Sequence, residues 1–547
     1  MPYSGVVSRR SFALAALAGG ISFVAARCFF GVDIYDEAFY VATPYRFILG
    51  GRPFIDDLSI SQQPTGILVW PFLKLLYALQ GNLDGAVLFT RGLYFLFWGA
   101  CAVAVFSAVK TLMDRWLAVF VALSFFLFIP FGLPNLSYNT LAIGCTTLVI
   151  FLNLTQGRDF FLVSGLLAGV AAFAYPPMLL FALSYGGILY WGIPAKRRRV
   201  PAYFGGLGAV LAALGLAYLG SRIDLAKVSA FSLAGNSGTA ARTAGFGELP
   251  VLILAGRMPP WLWLFWLGAF AAMRRSKGLR VVLLAALPLI AFLVSRFLDW
   301  GVPFELAGFA FHLGMLAPFF LLLGADAFVK RLLILVWLPS VVVALVFGWF
   351  SGCGIFQIGW GFIAAQLLTL VFTMKLLSEL GGPAAGPLPI VPAALVLLIS
   401  FHFGTQVYCE PPIGELRHRI RAGPYRGLLT NDAKARFIEE LSADLQRSSI
   451  SNRTLLTSNL LPGAYLLSTL RPSGPSLWAV SPANAKACEE RLPDTDVVVK
   501  LEDRPPINQY CARPDLQNAE LEAAVRKSFA YTVTRGNYTL FYKRRPQ

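Results

Sequence analysis

Residues 86–109 read AVLFTRGLYFLFWGACAVAVFSAV, an apolar run in which Arg91 is the single charged residue. A helix needs roughly 20 apolar residues to cross the hydrocarbon core of a bilayer, and this stretch is long enough. Similar runs recur through the first three quarters of the chain. We predict about thirteen spans, near residues 11–30, 86–109, 116–130, 138–154, 160–174, 177–193, 201–221, 251–272, 281–295, 306–328, 332–350, 359–376 and 388–405. The fifth and sixth meet at Tyr175-Pro176-Pro177, so two spans or one broken helix both fit.

The composition of the whole chain is that of an integral membrane protein. Of its 547 residues, 57% are hydrophobic and 14% are charged, and the mean hydropathy is +0.64. Soluble domains carry about 25% charged residues. These values exclude a disordered chain, a coiled coil and a single soluble domain. Because residues 406–547 hold 35 of the charged residues and residues 1–405 hold 40, we predict a membrane domain over 1–405 and a second, water-exposed domain over 406–547.

The distribution of basic residues predicts the orientation. With the N-terminus in the cytoplasm, the cytoplasmic loops hold 16 Lys and Arg residues against four acidic ones. The other side and the span ends hold ten of each. This asymmetry follows the positive-inside rule, and an odd number of spans places residues 406–547 outside the cytoplasm. The net charge of +17 is therefore attributed to loop topology and not to binding of nucleic acid.

The first outer loop, residues 31–85, carries the densest group of acidic residues. It contains GVDIYDEAFY from residue 31, GGRPFIDD from residue 50 and QQP from residue 62. Six of the ten outer acidic residues lie here: Asp33, Asp36, Glu37, Asp56, Asp57 and Asp84. Their alternation with aromatic and aliphatic residues indicates short amphipathic helices at the membrane surface, although a solvated loop also fits. A carboxylate at this boundary suits the removal of a proton from a hydroxyl that attacks a lipid-bound electrophile.

This loop resembles that of the GT-C superfamily of polyprenyl-phosphate-sugar-dependent glycosyltransferases. The nearest resemblance is to the bacterial protein O-mannosyltransferase-like and lipid A aminoarabinose transferase-like enzymes. It rests on the Asp36-Glu37 pair after the first span, a Gly-rich turn with an Asp some twenty residues on, and a Pro-containing return, all within residues 31–100. It implies a polytopic α-helical membrane protein of about 13 transmembrane helices with a C-terminal extracytoplasmic α/β domain, in the bacterial inner membrane.

The resemblance also implies an activity. A sugar would pass, with inversion, from a polyprenyl-phosphate donor in the membrane to a glycan, lipid or protein acceptor, without nucleic acid as a partner. It leaves the sugar, the acceptor and the metal requirement open: no cofactor is assigned, and a divalent cation is one option. Two rivals stand beside it, a secondary transporter or lipid-linked-sugar flippase and a non-catalytic scaffold. A transporter predicts charged residues at mid-span and an internal repeat.

Matching positions supply the implied site residues. Asp36 corresponds to the general base, with Glu37 beside it. The implied donor- or acceptor-binding positions in and just after the loop are Asp56, Asp57, Gln63 and Arg91. Gln63-Pro64-Thr65 stands where relatives often have Lys-Pro-Pro, and Tyr175-Pro176-Pro177 stands where they often carry Lys. If those lysines bind donor phosphate, this chain needs other cations.

Residues at other outer span ends supply further candidates. Arg296 follows the ninth span and His312 lies near the start of the tenth, so either is a candidate partner for a phosphate. An interface anchor explains Arg296 equally well, and a packed helix residue explains His312. Tyr138 and Asn139, with Asn135, are candidates for binding sugar hydroxyls, and helix capping explains them as well.

The remaining patterns concern chemistry outside the loop. Gly165 and Gly169 have the spacing of a helix-packing motif. With three His residues, no CxxC pair and no Gly-x-x-x-x-Gly-Lys motif, the chain lacks the patterns of a zinc site and of an ATP-binding loop. In the C-terminal domain we predict helices over 430–448 and 515–527, a strand over 497–499, a hairpin from 529–533 and 538–542, and a Cys488–Cys511 disulfide.

Overall fold

The computed structural model describes residues 4–60, 62–155, 160–235, 258–300, 304–350, 354–381, 388–478, 484–502 and 518–545. This part of the chain is mostly helical and ends in a small sheet. The longer helices are α1 (Ser4–Arg27), α2 (Asp36–Ile48), α3 (Gln63–Gln80), α4 (Ala86–Val109), α5 (Arg115–Phe126), α6 (Tyr138–Leu154), α7 (Phe161–Ala174), α8 (Leu179–Gly192), α9 (Val200–Leu219), α10 (Leu225–Gly235), α11 (Pro260–Arg275), α12 (Lys277–Phe297), α13 (Glu305–Gly314), α14 (Ala327–Phe350), α15 (Ile363–Gly381), α16 (Ile390–Gly404), α17 (Asp432–Ser448) and α18 (Ala519–Ser528).

Six of the described helices are long and apolar enough to cross a membrane: Ala86–Val109, Pro194–Leu219, Lys277–Phe297, Glu305–Leu322, Ala327–Phe350 and Ile363–Gly381. Four shorter apolar helices, α5, α6, α7 and α16, accompany them. The helical membrane architecture is therefore confirmed in outline, and the count of thirteen spans stays a prediction. Residues 160–193 form two helices, α7 and α8, with the 3-10 turn Pro176–Met178 between them. The choice between two spans and one broken span stays a prediction.

Glycines allow two helices, α7 and α9, to approach closely. A Cβ atom built on Gly165 of α7 lies 1.9 Å from the Tyr203 carbonyl oxygen of α9. A Cβ on Gly206 of α9 lies 2.3 Å from the Leu162 oxygen of α7. The two backbones thus touch where neither helix has a side chain. The Gly165 and Gly169 pattern therefore marks a packing surface.

The C-terminal domain is built on a five-stranded sheet. The five strands of this sheet are β3 (Thr454–Thr457), β4 (Arg471–Pro472), β5 (Val497–Leu501), β6 (Tyr531–Thr534) and β7 (Tyr538–Tyr542). Two further strands, β1 (His418–Arg419) and β2 (Leu429–Thr430), form a separate antiparallel pair. The sheet order is β4-β3-β5-β7-β6, parallel across β4-β3-β5 and antiparallel across β5-β7-β6. The mixed α/β prediction and the β6–β7 hairpin are confirmed.

The first outer loop shares a hydrophobic core with the C-terminal domain. One cluster of buried side chains joins Val32, Ile34 and Phe39 of the loop to Leu461 and Tyr465. The short helix Pro462–Leu466 packs on α2, and its Gly463 N–H donates to the Ile34 carbonyl at 3.0 Å. The two segments are far apart in sequence, yet they bury the same apolar surface. Residues 31–85 are thus packed against the C-terminal domain.

The predicted Cys488–Cys511 disulfide is wrong. Cys488 is a free thiol, fully buried beside Leu456, Leu492 and Val498, where it packs as a small apolar side chain. Cys511 lies outside the described residues. Cys409, just after α16, is disulfide-bonded instead.

The α7–α9 contact predicts opposite effects for two neighbouring glycines. Gly206→Ala should destabilise the folded protein by about 1–3 kcal/mol, because its methyl group has no room against the Leu162 oxygen. Gly205→Ala is the control: nothing lies within 4 Å of its Cβ, so it should be neutral or gain up to about 1 kcal/mol from helix propensity. Thermal unfolding of both purified variants in detergent measures this. Equal unfolding temperatures would contradict the contact.

Candidate active site at the first outer loop

Asp33 shapes the start of α2. Its Oδ1 accepts from the Tyr35 N–H at 3.0 Å and its Oδ2 accepts from the Glu37 N–H at 2.7 Å. These bonds satisfy backbone donors that have no partner within the helix. Burial, reinforced by the charge of Asp36, raises the pKa of Asp33 to about 7 although both N–H bonds oppose the rise. Asp33 is therefore a capping carboxyl that titrates near neutral pH.

Glu37 is fully buried and neutralised by Arg91. Arg91 donates from Nε to Oε1 at 2.7 Å and from Nη2 to Oε2 at 2.6 Å, and Asn135 Nδ2 adds a bond to Oε1 at 3.1 Å. The remaining N–H groups of Arg91 donate to the carbonyls of Cys28, Phe30 and Gly31. All five donors of the guanidinium are thus used. The Glu37–Arg91 pair therefore has a structural role: it joins the start of the loop to α4.

Asp36 is the carboxylate of this group that reaches the surface. Its side chain is partly exposed, whereas Asp33 and Glu37 are at most 1% exposed. Tyr408, from the segment after α16, donates its hydroxyl to Asp36 Oδ2 at 2.7 Å. Tyr40 lies one helical turn after Asp36, and burial together with the charge of Asp36 raises the pKa of Tyr40 well above its ordinary value. Asp36 therefore lies among tyrosine hydroxyls at the start of α2.

The second acidic position stabilises the turn between α2 and α3. Buried Asp57 forms an ion pair with Arg46 at 3.2 Å, and burial raises the pKa of Asp57. Asp56 pairs with Arg52 at 3.3 Å and lies 3.8 Å from Arg471 of β4. These carboxylates hold the loop against itself and against the C-terminal domain.

Gln63 closes the same turn. Its amide group donates to the carbonyls of Asp57 and Ser59, and its side-chain oxygen accepts from the Phe54 N–H. The side chain is 1% exposed. Gln63 thus makes hydrogen bonds within the loop at the position where the resemblance leads us to expect a lysine.

Tyr138 and Asn139 lie in the first turn of α6, which Ser137 and Thr140 cap reciprocally. The Tyr138 ring lies 5.3 Å from that of Tyr175. Asn139 is buried, and its Oδ1 has no hydrogen-bond partner among the described residues. Capping of this helix therefore does not require Tyr138 or Asn139.

Arg296 and His312 occupy different environments. Arg296, in the last turn of α12, forms an ion pair with Glu305 of α13, and its side chain is 52% exposed. His312 is fully buried and accepts from the Trp300 indole N–H at 3.2 Å. Neither the Arg296–Glu305 ion pair nor the Trp300–His312 hydrogen bond involves Asp36.

Three buried charged residues near the loop, Arg27, Lys434 and Glu410, were not predicted from the sequence as part of the site. Arg27 donates to the carbonyls of Gly404, Phe30, Gly132 and Gln406, which ties together the ends of distant helices. Lys434 and Glu410 form a buried ion pair at 3.2 Å. Glu410 also accepts from the Val32 N–H, and Lys434 donates to the Val32 carbonyl. No local pattern distinguishes these residues from ordinary interface anchors and surface charges.

Comparisons with known proteins do not assign a family. No family model matches the chain, and no curated protein matches it. Within the described ranges, no group of three or more His, Cys, Asp and Glu side chains is arranged to hold a metal ion. The case for function therefore rests on the geometry around Asp36.

The Glu37–Arg91 pair predicts a large stability effect. Glu37→Gln should destabilise the folded protein by about 3–5 kcal/mol, because it leaves the Arg91 charge buried without its counter-ion. Denaturant unfolding in detergent measures the loss. The exposed pair Lys375–Glu379 provides the control: Glu379→Gln should cost at most about 1 kcal/mol. Similar losses in the two variants would refute a structural role for Glu37.

The raised pKa of Asp33 predicts how stability depends on pH. The folded state holds a proton that the unfolded chain releases near pH 4, so this group's stabilisation is complete below that pH and is lost as pH rises through about 7. Asp33→Asn should flatten this fall between about pH 4 and about pH 7, the interval between the two pKa values. Unfolding temperatures at several pH values measure it, with exposed Asp432→Asn as control. A slope unchanged from wild type would contradict the prediction.

Proposed function

We propose that the protein is an integral membrane glycosyltransferase that transfers a sugar from a polyprenyl-phosphate donor to an acceptor hydroxyl on the extracytoplasmic side. The observation that supports this proposal is that three neighbouring carboxyls have different environments. Glu37 is neutralised by Arg91, Asp33 caps α2, and Asp36 is left at the surface on a rigid helix start. A positioned carboxylate of this kind suits a general base.

The proposed reaction is a single displacement. The acceptor O–H gives its proton to the Asp36 carboxylate as its oxygen attacks the anomeric carbon. The bond between that carbon and the phosphate oxygen breaks, and its electron pair leaves with polyprenyl phosphate, so the anomeric configuration inverts. The driving force is the net free energy of exchanging the anomeric bond to phosphate for the new bond to the acceptor oxygen, and no nucleotide is consumed.

The leaving phosphate needs a cation, and Arg296 is the proposed partner. Arg91 uses all five of its donors within the fold, and His312 is buried against Trp300. Arg296 is half exposed and forms its ion pair on the side that also contacts the segment leading to Tyr408. A guanidinium offers paired donors to phosphate oxygens whose charge grows as the bond breaks.

Two further observations support an enzyme with its site outside the cytoplasm. The disulfide at Cys409 suits an oxidising compartment. The buried charged residues of the described part lie within the first or last two turns of the apolar helices or outside these helices, as with Arg27, Arg91 and Glu305. A transporter or flippase is expected to carry such residues at mid-span, so no observation favours that rival.

The proposal predicts that Asp36→Asn abolishes transfer. Loss of a general base should lower the rate by about 10²–10⁴-fold, while the unfolding temperature stays near that of wild type because Asp36 is partly exposed. The measurement is release of polyprenyl phosphate in proteoliposomes supplied with a panel of polyprenyl-phosphate sugars and membrane-derived acceptors. Asp432→Asn, a surface change in the C-terminal domain, should match wild type. Wild-type turnover by the Asn variant would remove Asp36 from the mechanism.

A further inference from the structure

Arg296 and Glu305 form an ion pair of unequal exposure. The Arg296 side chain at the end of α12 is 52% exposed, whereas the Glu305 carboxylate in the first turn of α13 is 11% exposed. The cation therefore faces outward while its counter-ion lies behind it. An arginine in this position can receive another anion without unfolding of either helix.

Glu305, the buried partner of this pair, is connected to Asp36 through residues 406–408. Glu305 Oε2 accepts from Gln406 Nε2 at 3.4 Å, and the Gln406 carbonyl accepts from Arg27 at 3.2 Å. Two residues further along the chain, Tyr408 donates its hydroxyl to Asp36 Oδ2. Two extended residues span at most about 7 Å. Glu305 thus links Arg296 to the same short segment that holds the proposed base.

The Arg91–Glu37 pair provides a comparison, because it is a fully buried ion pair with no exchangeable partner. Both side chains are at most 1% exposed, the contact is bidentate, and every other donor of Arg91 is used. Among the described residues, the Arg296 guanidinium makes one hydrogen bond, to one oxygen of Glu305. Exposed ion pairs are weak, and a phosphate presents the same fork geometry as a carboxylate with more charge. The Glu305 carboxylate is therefore suited to exchange with an incoming phosphate.

We propose that Glu305 is an exchangeable counter-ion for Arg296, displaced by the phosphate of a membrane-bound polyprenyl lipid and retained by Gln406 after the exchange. Glu305 then sets the selectivity of the site, because only an anion that binds Arg296 better than a carboxylate occupies it. This inference rests on the proposed function for the identity of the lipid. It adds a residue and an exchange step that the proposed reaction does not contain.

Binding of geranylgeranyl phosphate to the purified full-length protein in phosphatidylcholine nanodiscs tests the exchange. Glu305→Gln removes the competing charge and should tighten binding by about tenfold. Arg296→Ala should weaken binding by about tenfold or more, and the double variant should match Arg296→Ala, because Glu305 acts only through Arg296. Arg426→Ala, an exposed arginine paired with Asp84, is the matched control and should bind as wild type.

The outcomes separate this inference from the proposed function. Unchanged affinity in Glu305→Gln, or tighter binding that survives in the double variant, would overturn the exchange. Unchanged affinity in Arg296→Ala would overturn it as well. Asp36→Asn should bind the probe as wild type, so its transfer assay tests the reaction independently.

A last arm distinguishes the source of the phosphate. Inorganic phosphate should displace the probe only at concentrations at least about a hundredfold higher, because it lacks the apolar chain that a membrane site binds. Nanodiscs with phosphatidylglycerol should leave probe affinity unchanged. Equal competition by inorganic phosphate or by phosphatidylglycerol would overturn the assignment to a polyprenyl lipid.

Discussion

The buried ion pair between Glu37 and Arg91 is the interaction on which the site depends. Removing one partner from such a pair leaves a charge in a medium that solvates it poorly, so the two side chains constrain each other strongly. Arg91 lies in the second turn of α4, and its remaining donors bind the carbonyls of Cys28, Phe30 and Gly31. One guanidinium thus fixes the end of α1, the start of the outer loop and the first turn of α2. Asp36 takes its place as the residue before Glu37 on that helix.

The C-terminal domain completes the site from the opposite side. The segment from Gln406 to Glu410 lies along residues 30–36 and contacts them at successive positions. Tyr408 binds Asp36, Glu410 accepts from the Val32 N–H, and Lys434 donates to the Val32 carbonyl. The shared apolar core of the loop and the domain supports these polar contacts, because separating the two segments would expose that core to water. The C-terminal domain, which its charge density predicts to be separate, thus helps to position the proposed base.

Neighbouring carboxyls acquire different properties from their surroundings. Asp33 is buried and accepts two backbone N–H groups, Glu37 is buried against a guanidinium, and Asp36 faces a tyrosine hydroxyl at the surface. Desolvation favours the protonated form of Asp33, and the nearby Asp36 charge acts in the same direction. The cluster thereby separates two buried carboxyls from the partly exposed Asp36, which we propose as the general base. Arg91 and Arg296 differ in the same way: the ion pair of Arg91 is fully buried, whereas the Arg296 side chain is half exposed.

Composition and periodicity alone determined the helical membrane class, the change of character near residue 405 and the acidic loop after the first span. They also located α4, α6, α17 and the β6–β7 hairpin, because apolar runs and turn residues act locally. The roles of the acidic residues were decided only by tertiary structure. Glu37 meets Arg91 across 54 residues, and Asp36 meets Tyr408 across 372. Burial and partner identity arise from packing between distant segments, which no local pattern encodes, and the same reason explains why Cys488 is a core thiol and not half of a disulfide.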